Sequence, residues 1–338
     1  MVIKDKKKLA RVIATWVVTA VMLSVFILDI VVVALSNKYV NEFEITKEAF
    51  DLQSGDDRIH FLNTANSDCM IIESNGHFAL VDSGEGNNNP RRKTEYKGYE
   101  EEVISYIKEH CISEKGEVHL DFIVATHMHY DHSGNFEPII KDKEINIGKA
   151  FIKEYNTSEI TKMDAELWGN LDTYKKILNA LNDRAIPIIS DIPAESFVFG
   201  DFTVEFVNTA ENKFTQAAGE NGNSIGINLT KGDKKAFLAA DFTNDGGFET
   251  ALAEQIGDID LLKIGHHGYF GSSSPDFLRT LTPDIAICTN HLGKIYPNVK
   301  WNLTMVARVP IFSTAHRNGI IATFTDSEEI VLTENTMQ

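Results

Sequence analysis

The chain has 338 residues, of which 43% are hydrophobic, and it carries a formal net charge of −17 at pH 7. This length allows one large or two medium domains with a substantial core. Residues 1–11 have a balance of +4, which leaves −21 on the remainder. Extended nucleic-acid binding is disfavoured by that charge, since contacts from Lys and Arg to phosphates supply most nonspecific affinity. A small anionic substrate held by a metal is not excluded.

Residues 12–35 form an apolar stretch with a single charge, Asp29. At about 1.5 Å per residue this stretch can cross a hydrocarbon layer of about 30 Å. The basic residues before it predict a cytoplasmic N-terminus and an extracytoplasmic body. A cleaved signal peptide, cut near Val32-Val33-Ala34, is the alternative. The stretch exceeds a usual signal core of about 7–15 residues, which favours an uncleaved signal anchor.

The predicted organisation is a basic tail (1–11), a transmembrane anchor (12–35), a polar spacer (36–57) and one folded domain (58–338). Within the domain, short apolar runs broken by turns predict strands, beginning with Ile59–Leu62 and followed by a hairpin over 69–81. Helical periodicity marks 99–111, and a single long helical region is expected over 161–185. Trp168 lies in that region and either lines a substrate pocket or packs in the core. The pattern favours two β-rich halves with helices on their outer faces.

A histidine-rich loop follows the predicted strand Leu120–Ala125. Imidazole and carboxylate groups of this kind are zinc ligands, and short His-rich tracts are typical of metal binding. A polar loop rich in histidine by chance is the alternative, and it is disfavoured because the chain has only 11 histidines. Two adjacent sub-sites are possible, built from four donors: His127, His129, Asp131 and His132.

Further candidate ligands also follow predicted strands. Asp241 comes after the strand Phe237–Ala240, where its carboxylate can bridge two metal ions; a turn or N-cap Asp is the alternative. His266 and His267 follow Leu261–Ile264 between two glycines, as ligands or as an ordinary solvated turn. Asp82, at another strand end, is predicted to orient a ligand or to stabilise its own turn.

These residues together resemble the metallo-β-lactamase superfamily. The family pattern H-x-H-x-D-H stands here as residues 127–132, and Asp82-Ser83-Gly84 is similar to the family's early Asp-x-Gly turn. The resemblance implies an α+β fold, a four-layer αβ/βα sandwich with the site at the edge between its halves. Lys263–Gly268 and Asn221–Ser224 look most like the hydrolase domains attached to DNA-uptake competence proteins. The chain also resembles the related cell-wall phosphorylcholine esterases.

One departure from the family concerns the first metal. Many members carry a further histidine between the first motif and the bridging Asp, whereas residues 134–240 contain none. Asn223 or Ser224 stands near the expected position, and neither is a good zinc ligand. We therefore expect one or two Zn²⁺ ions, with a first site that is weak, open to solvent or completed by substrate.

The expected assignment gives His127 and His129 to one metal and Asp131, His132 and His266 or His267 to the other, with Asp241 between them. Metal-bound hydroxide would attack the substrate, with Asp131 and Asp241 as the catalytic carboxylates. The substrate expected is a phosphodiester of a nucleotide, a nucleic acid or a cell-wall component.

His316, together with Arg317, is a candidate contact to the phosphate or leaving group, with a surface histidine as the alternative.

Two other functions stay open for the chain as a whole. One is a β-lactam or lactone hydrolase. The other is a catalytically silent, membrane-tethered metal-binding sensor, since a structural site is closed by four protein ligands.

Overall fold

The computed structural model describes residues 6–40, 57–91, 97–209 and 219–334. The helices are α1 (Lys6–Val40), α2 (Glu100–His110), α3 (Tyr130–Ser133), α4 (Phe136–Lys141), α5 (Lys162–Trp168), α6 (Asn170–Asp183), α7 (Phe248–Ile256), α8 (Pro275–Leu281), α9 (Pro297–Trp301) and α10 (Thr314–Arg317). The strands are β1 (Asp57–Phe61), β2 (Cys69–Ser74), β3 (His77–Ser83), β4 (His119–Leu120), β5 (Phe122–Ala125), β6 (Asn146–Ile147), β7 (Ala150–Ile152), β8 (Ile188–Ile189), β9 (Phe197–Phe199), β10 (Phe202–Val207), β11 (Gly226–Lys231), β12 (Lys234–Leu238), β13 (Leu261–Lys263), β14 (Ile285–Cys288), β15 (Ile311–Ser313), β16 (Ile320–Phe324) and β17 (Ile330–Glu334). Short 3-10 turns lie at Glu220–Asn223, Asp245–Gly247, Gly265–Gly268 and Leu292–Lys294, and a π-helical turn lies at Asn302–Ala307.

Two large sheets face each other. The first has the order β17-β16-β1-β2-β3-β5-β7-β8, and the second has the order β15-β14-β13-β12-β11-β10-β9. One hydrophobic core fills the space between the sheets, and each sheet has a second core on its outer face, against α2, α4 and α6 on one side and α7 and α8 on the other. The predicted αβ/βα four-layer sandwich is confirmed.

Strands buried on both faces explain why the sequence shows apolar runs rather than strict alternation. In β5, Phe122 and Val124 point into the core between the sheets, whereas Ile123 and Ala125 point toward the helices. Successive side chains of a strand point to opposite faces, so a run of four apolar residues serves two cores at once.

Parallel pairing brings the candidate residues to one edge. In the first sheet β3 pairs in parallel with β5, and in the second β12, β13, β14 and β15 are parallel neighbours. The carboxyl ends of parallel strands lie on the same side of a sheet, and ligands bind there in open α/β sheets. The loops after β3, β5, β12, β13 and β14 therefore converge.

The single helical region expected over 161–185 is wrong, because the structure has two helices. α5 ends at Trp168, and Gly169 adopts a left-handed conformation (φ 60°, ψ 26°) before α6 begins. Such a conformation suits glycine, which lacks a Cβ atom, and it breaks the run of helical hydrogen bonds.

The N-terminal segment is one apolar helix, α1, long enough by length and composition to cross a membrane. It continues to Val40, so the first residues of the predicted spacer are helical, and β1 begins at Asp57. The rest of the predicted spacer lies outside the described residues. The boundaries at 11, 35 and 57 stay predictions.

Candidate metal centre

The first group of ligand atoms comes from the loop that leaves β5. His127 Nε2 lies 3.2 Å from His129 Nδ1 and 3.6 Å from Asp241 Oδ2. All three side chains are buried. His129 has extended backbone and directly precedes the first turn of α3. These three atoms can hold one metal ion.

The second group shares Asp241 through its other oxygen. Asp241 Oδ1 lies 3.1 Å from His132 Nε2 and 3.3 Å from His267 Nε2, and the two imidazole nitrogens are 3.1 Å apart. Asp131 Oδ2 lies 3.9 Å from His267 Nε2. Asp241 therefore faces two ligand groups with its two oxygens, the arrangement that a bridging carboxylate requires.

The donor set fits divalent metal ions. Within the described part of the chain, the buried oxygens Asp131 Oδ1 and Asp241 Oδ1 make no well-aligned hydrogen bond, although imidazole nitrogens lie near Asp241 Oδ1. Burying a carboxylate oxygen without a hydrogen bond is costly, and a cation would remove that cost. Burial, reinforced by the neighbouring His132, lowers the pKa of His127 to about 3, so this imidazole is neutral and able to act as a ligand.

The pKa shifts of Asp241 and His132 also indicate a site that attracts cations. Burial alone would raise the pKa of Asp241, but His132 and His267 outweigh it and hold that pKa well below its ordinary value. Burial would lower the pKa of His132, but Asp241 and Asp82 outweigh it and raise that pKa well above its ordinary value. A site that carries this much anionic charge attracts positive charge.

Asp82 holds His132 in position. Its carboxylate accepts hydrogen bonds from the backbone N–H and the hydroxyl of Thr126, each at 2.8 Å, and lies 2.7 Å from His132 Nδ1. A carboxylate on Nδ1 leaves Nε2 free to face the metal side, which is how ligand histidines are oriented.

His267 has a corresponding support that sequence reasoning missed. Asp68 Oδ1 lies 3.2 Å from His267 Nδ1 and accepts a hydrogen bond from the Thr289 hydroxyl at 2.6 Å. The ammonium of Lys263 pairs with Asp68 and donates to the carbonyl of Ala240 at 2.8 Å. Asp68 offered little signal, since it is one polar residue in a turn before β2.

The two adjacent histidines serve different sides of the centre. His266 and His267 both have left-handed backbone, each with φ 50°. His267 is buried and faces the second group, whereas His266 is 27% exposed, with its Nε2 3.9 Å from Asp241 Oδ2 on the side of the first group. Gly265 permits this turn, because a Cβ there would lie 2.4 Å from the carbonyl oxygen of Phe242.

The region where a third ligand of the first metal was expected holds other residues. Asn223 donates to Glu220 at 3.3 Å, and Ser224 is fully buried. The side chain that approaches the ligand atoms is Asn221, whose Nδ2 lies 3.4 Å from His266 Nε2. A contact of Asn223 or Ser224 with substrate stays a prediction.

Two acidic residues beside the first group carry no recognisable sequence signal. Asp164 Oδ1 lies 3.7 Å from His129 Nε2. Burial alone would raise the pKa of Asp164, but hydrogen bonding to His129 and Thr161 outweighs burial and lowers it. Glu220 accepts a hydrogen bond from the backbone N–H of Met128 at 2.7 Å. Both acidic residues contact the loop after β5 that carries His127 and His129.

An aromatic and cationic wall completes the centre. The indole of Trp168 stacks on the ring of His129 at 4.3 Å, and the guanidinium of Arg91 lies 4.5 Å above that indole. Arg91 Nη1 is 3.9 Å from Asp131 Oδ2. A cation held next to the ligand atoms suits a substrate with negative charge.

His316 is not a member of either ligand group. His316 lies on α10, in a cleft against α1, with its ring 5.9 Å from that of His291. Arg317 pairs with Glu334 at 3.1 Å. The predicted contact of His316 with the phosphate or leaving group stays a prediction.

Comparison with known proteins agrees with this geometry. Residues 62–288 match the Metallo-beta-lactamase superfamily. The chain belongs to this superfamily. Membership and the buried His and Asp cluster together support a metal-dependent hydrolase.

Individual relatives are distant. ComE operon protein 3 of Bacillus subtilis (strain 168) is 24% identical over 179 residues, which are 52% of this chain and 20% of that protein. This superfamily member thus spans about one fifth of that relative's length. Among solved structures, the metallo-beta-lactamase fold protein YhfI from Bacillus subtilis has a TM-score of 0.48 at 13% identity, covering 77% of this chain and 96% of YhfI. CmlA, a diiron beta-hydroxylase from Streptomyces venezuelae, has a TM-score of 0.40 at 15% identity, covering 76% of this chain and 50% of that chain.

Proposed function

We propose that the protein is a membrane-anchored, extracytoplasmic hydrolase of phosphodiesters that uses one or two zinc ions. The observation that carries the proposal is Asp241, whose two oxygens face two separate groups of buried ligand atoms. A pair of metal ions, when bound, supplies Lewis acidity, generates a nucleophile from water near neutral pH and offsets charge on a phosphoryl group.

The protein's own residues would arrange the centre. His127, His129 and Asp241 would hold the first ion, with His266 as the additional ligand on that side. His132, His267, Asp131 and the second oxygen of Asp241 would hold the second ion. His266 is part-exposed, so the first side is the open one, consistent with substrate entering there.

The phosphodiester is favoured by the charges around the centre. Arg91 is mostly buried beside Asp131, so an anionic group bound between the metals and this guanidinium would be held from two sides. The indole of Trp168 offers a flat apolar wall next to it. Arg91 also pairs with Glu85, and a neutral lactam or lactone would offer no anionic group to this guanidinium.

The extracytoplasmic location rests on charge distribution. Residues 1–11 are basic and precede the apolar helix α1, and positive charge tends to stay on the cytoplasmic side. The domain that follows the helix would then lie outside the cytoplasm. The charge on that domain also disfavours long nucleic acids as substrates.

The deciding experiment combines metal content with turnover. Purified wild type should contain zinc and hydrolyse bis-p-nitrophenyl phosphate but not nitrocefin, and His129→Ala should lose both metal and hydrolysis. The matched control is His77→Ala, a histidine with a 55% exposed side chain outside the cluster, which should keep both. Hydrolysis retained by His129→Ala, or metal bound without turnover of any phosphodiester, would contradict the proposal.

A further inference from the structure

The helix α1 packs against the hydrolase domain instead of standing apart from it. Val32 is only 1% exposed, although most of the helix is exposed. A cleft of about 750 Å³ lies between the helix and the domain, lined on the helix side by Asp29 and Val33 and on the domain side by Lys300 and Ile311, among others. The helix therefore docks beside the edge strand β15 and helix α9.

A charged residue of the helix lies at this contact. Asp29 is the single charge within residues 12–35, and an acid inside a bilayer is costly and generally paired. Lys300 is buried in the domain; burial lowers its pKa, and Asp29 acts in the opposite direction. Asp29 and Lys300 line the same cleft, so opposite charges face this space where helix and domain meet.

The length of the helix places this contact at a membrane boundary. The apolar segment from Val12, the first residue after the basic tail, to Leu28, the last before Asp29, has seventeen residues. At about 1.5 Å per residue these span about 25 Å, close to the thickness of a hydrocarbon core of about 30 Å. Asp29 then lies at the lipid boundary, and the part of the domain that contacts it lies there too.

The domain surface beside this contact carries exposed aromatic rings. Phe270 is 67% exposed and Tyr296 is 44% exposed, and their rings are 6.2 Å apart. Trp301 lines a second groove, together with residues of α1 from Met22 to Val32. Aromatic side chains of this kind favour the interface between lipid and water.

The same surface leads to the metal centre. The ring of Tyr269 lies 5.8 Å from that of Tyr296 and 5.6 Å from that of His266. One aromatic residue therefore separates the exposed aromatic face from the open side of the centre. A substrate reaching His266 along this wall would come from the direction of the membrane.

We propose that the domain rests directly on the bilayer through the face formed by Phe270, Tyr296 and Trp301, and that its substrate is a phosphodiester carried by a membrane lipid. The choice of substrate rests on the proposed phosphodiesterase function. The contact with the bilayer does not. A bilayer fits this face because the helix that is long enough to cross a membrane is docked beside it.

The contact can be measured without activity. In the full-length protein, Trp16→Phe and Trp168→Phe leave Trp301 as the single tryptophan. In vesicles of phosphatidylcholine and phosphatidylglycerol, lipids brominated near the headgroup should quench Trp301 emission. The control protein carries Trp301→Phe and Val198→Trp in addition. Val198 is 77% exposed on β9, the edge of the second sheet opposite to β15. Emission from a tryptophan at position 198 should not be quenched by these lipids. Equal quenching of both probes, or of neither, would overturn the contact.

The substrate class is tested with a charge placed on the face. Phe270→Asp should lower headgroup release from the same vesicles about tenfold, because a carboxylate is disfavoured at lipid depth. It should leave turnover of bis-p-nitrophenyl phosphate unchanged, and Val198→Asp should change neither rate. Turnover of the soluble diester by wild type without any headgroup release would overturn the lipid substrate while the phosphodiesterase proposal stands. Failure on both substrates would overturn the proposed function itself.

Discussion

Lys263 and Asp68 form an ion pair with no solvent exposure, enclosed between the backbone of Ala240 and the ring of His267. Burial alone would raise the pKa of Asp68. The charge of Lys263, followed by those of His267 and His132, outweighs burial and holds that pKa below its ordinary value. The pair links β2, β12 and β13 at the point where their ends converge. The metal ligands therefore stand on a charged support that spans both sheets.

Removing one member of this pair should be severe. Lys263→Met leaves the Asp68 carboxylate buried without its cation, which costs about 3–5 kcal/mol of unfolding free energy. The double variant Lys263→Met/Asp68→Asn should recover part of that loss, because no bare charge remains. Denaturant unfolding of the metal-free protein measures both. A loss below about 1 kcal/mol for the single variant would contradict the enclosed pair.

The adjacent histidines should differ in their effect on metal binding. His267→Ala removes a buried ligand of the second group and should weaken one of two metal affinities by more than about 100-fold. His266→Ala should weaken the other affinity, by a smaller factor, since that side is open. Calorimetric titration with Zn²⁺ measures both sites, and the exposed His291 supplies the control as His291→Ala. If both variants lost the same affinity at the same metal site, the assignment of His266 and His267 to different sites would be wrong.

Stability should depend on pH through Glu249. This buried carboxyl accepts backbone hydrogen bonds from Ser273 at 2.6 Å and Ser274 at 2.7 Å, yet burial raises its pKa to about 7 from 4.5. Because the folded-state pKa is the higher one, its contribution to stability is full below about pH 4.5 and is lost as pH rises through about 7. The expected loss is about 3 kcal/mol.

Glu249→Gln isolates this contribution. The variant cannot titrate, so its unfolding free energy should fall less than that of wild type between pH 4.5 and pH 8. Other groups titrate equally in both proteins, and the difference between the two curves is the measured quantity. Parallel curves would show that the carboxyl of Glu249 is ionised throughout that range.

The break between α5 and α6 should depend on glycine. Gly169→Ala forces a side chain into a left-handed conformation and places its Cβ 2.9 Å from Cβ of Pro90, at a cost of about 1–2 kcal/mol. Gly116→Ala is the matched control, since Gly116 has φ 75° with open space around it, and it should lose less. Thermal unfolding compares the two. Equal losses would mean that the contact with Pro90 is easily relieved.

Much of the centre could be predicted because its ligands are local in sequence or attached to strands. His127, His129, Asp131 and His132 lie within six residues, and a strand ahead of them was evident from its apolar run. Asp241 and His267 also follow such runs. Parallel strands share a carboxyl edge, so recognising each strand end was enough to expect the side chains to converge.

The supporting residues could not be found in this way. Asp68, Asp164 and Glu220 are acids in turns or short helices, and such residues are usually exposed. What distinguishes them is a neighbour far away in the chain: His267 for Asp68, His129 for Asp164 and the backbone of Met128 for Glu220. No local pattern encodes a partner of that kind.

The sequence alone was sufficient for two β-rich halves with outer helices, the ligand loop and the apolar N-terminal helix, since each depends on short-range periodicity or spacing. The four-layer sandwich followed from the resemblance to the superfamily. Tertiary packing decided which of His266 and His267 faces which ligand group, because two consecutive left-handed residues turn neighbouring rings to different sides. Packing also decided that α1 lies against the domain near Lys300. Both outcomes depend on contacts between segments that are distant in sequence. Those contacts form only when the two sheets pack against each other.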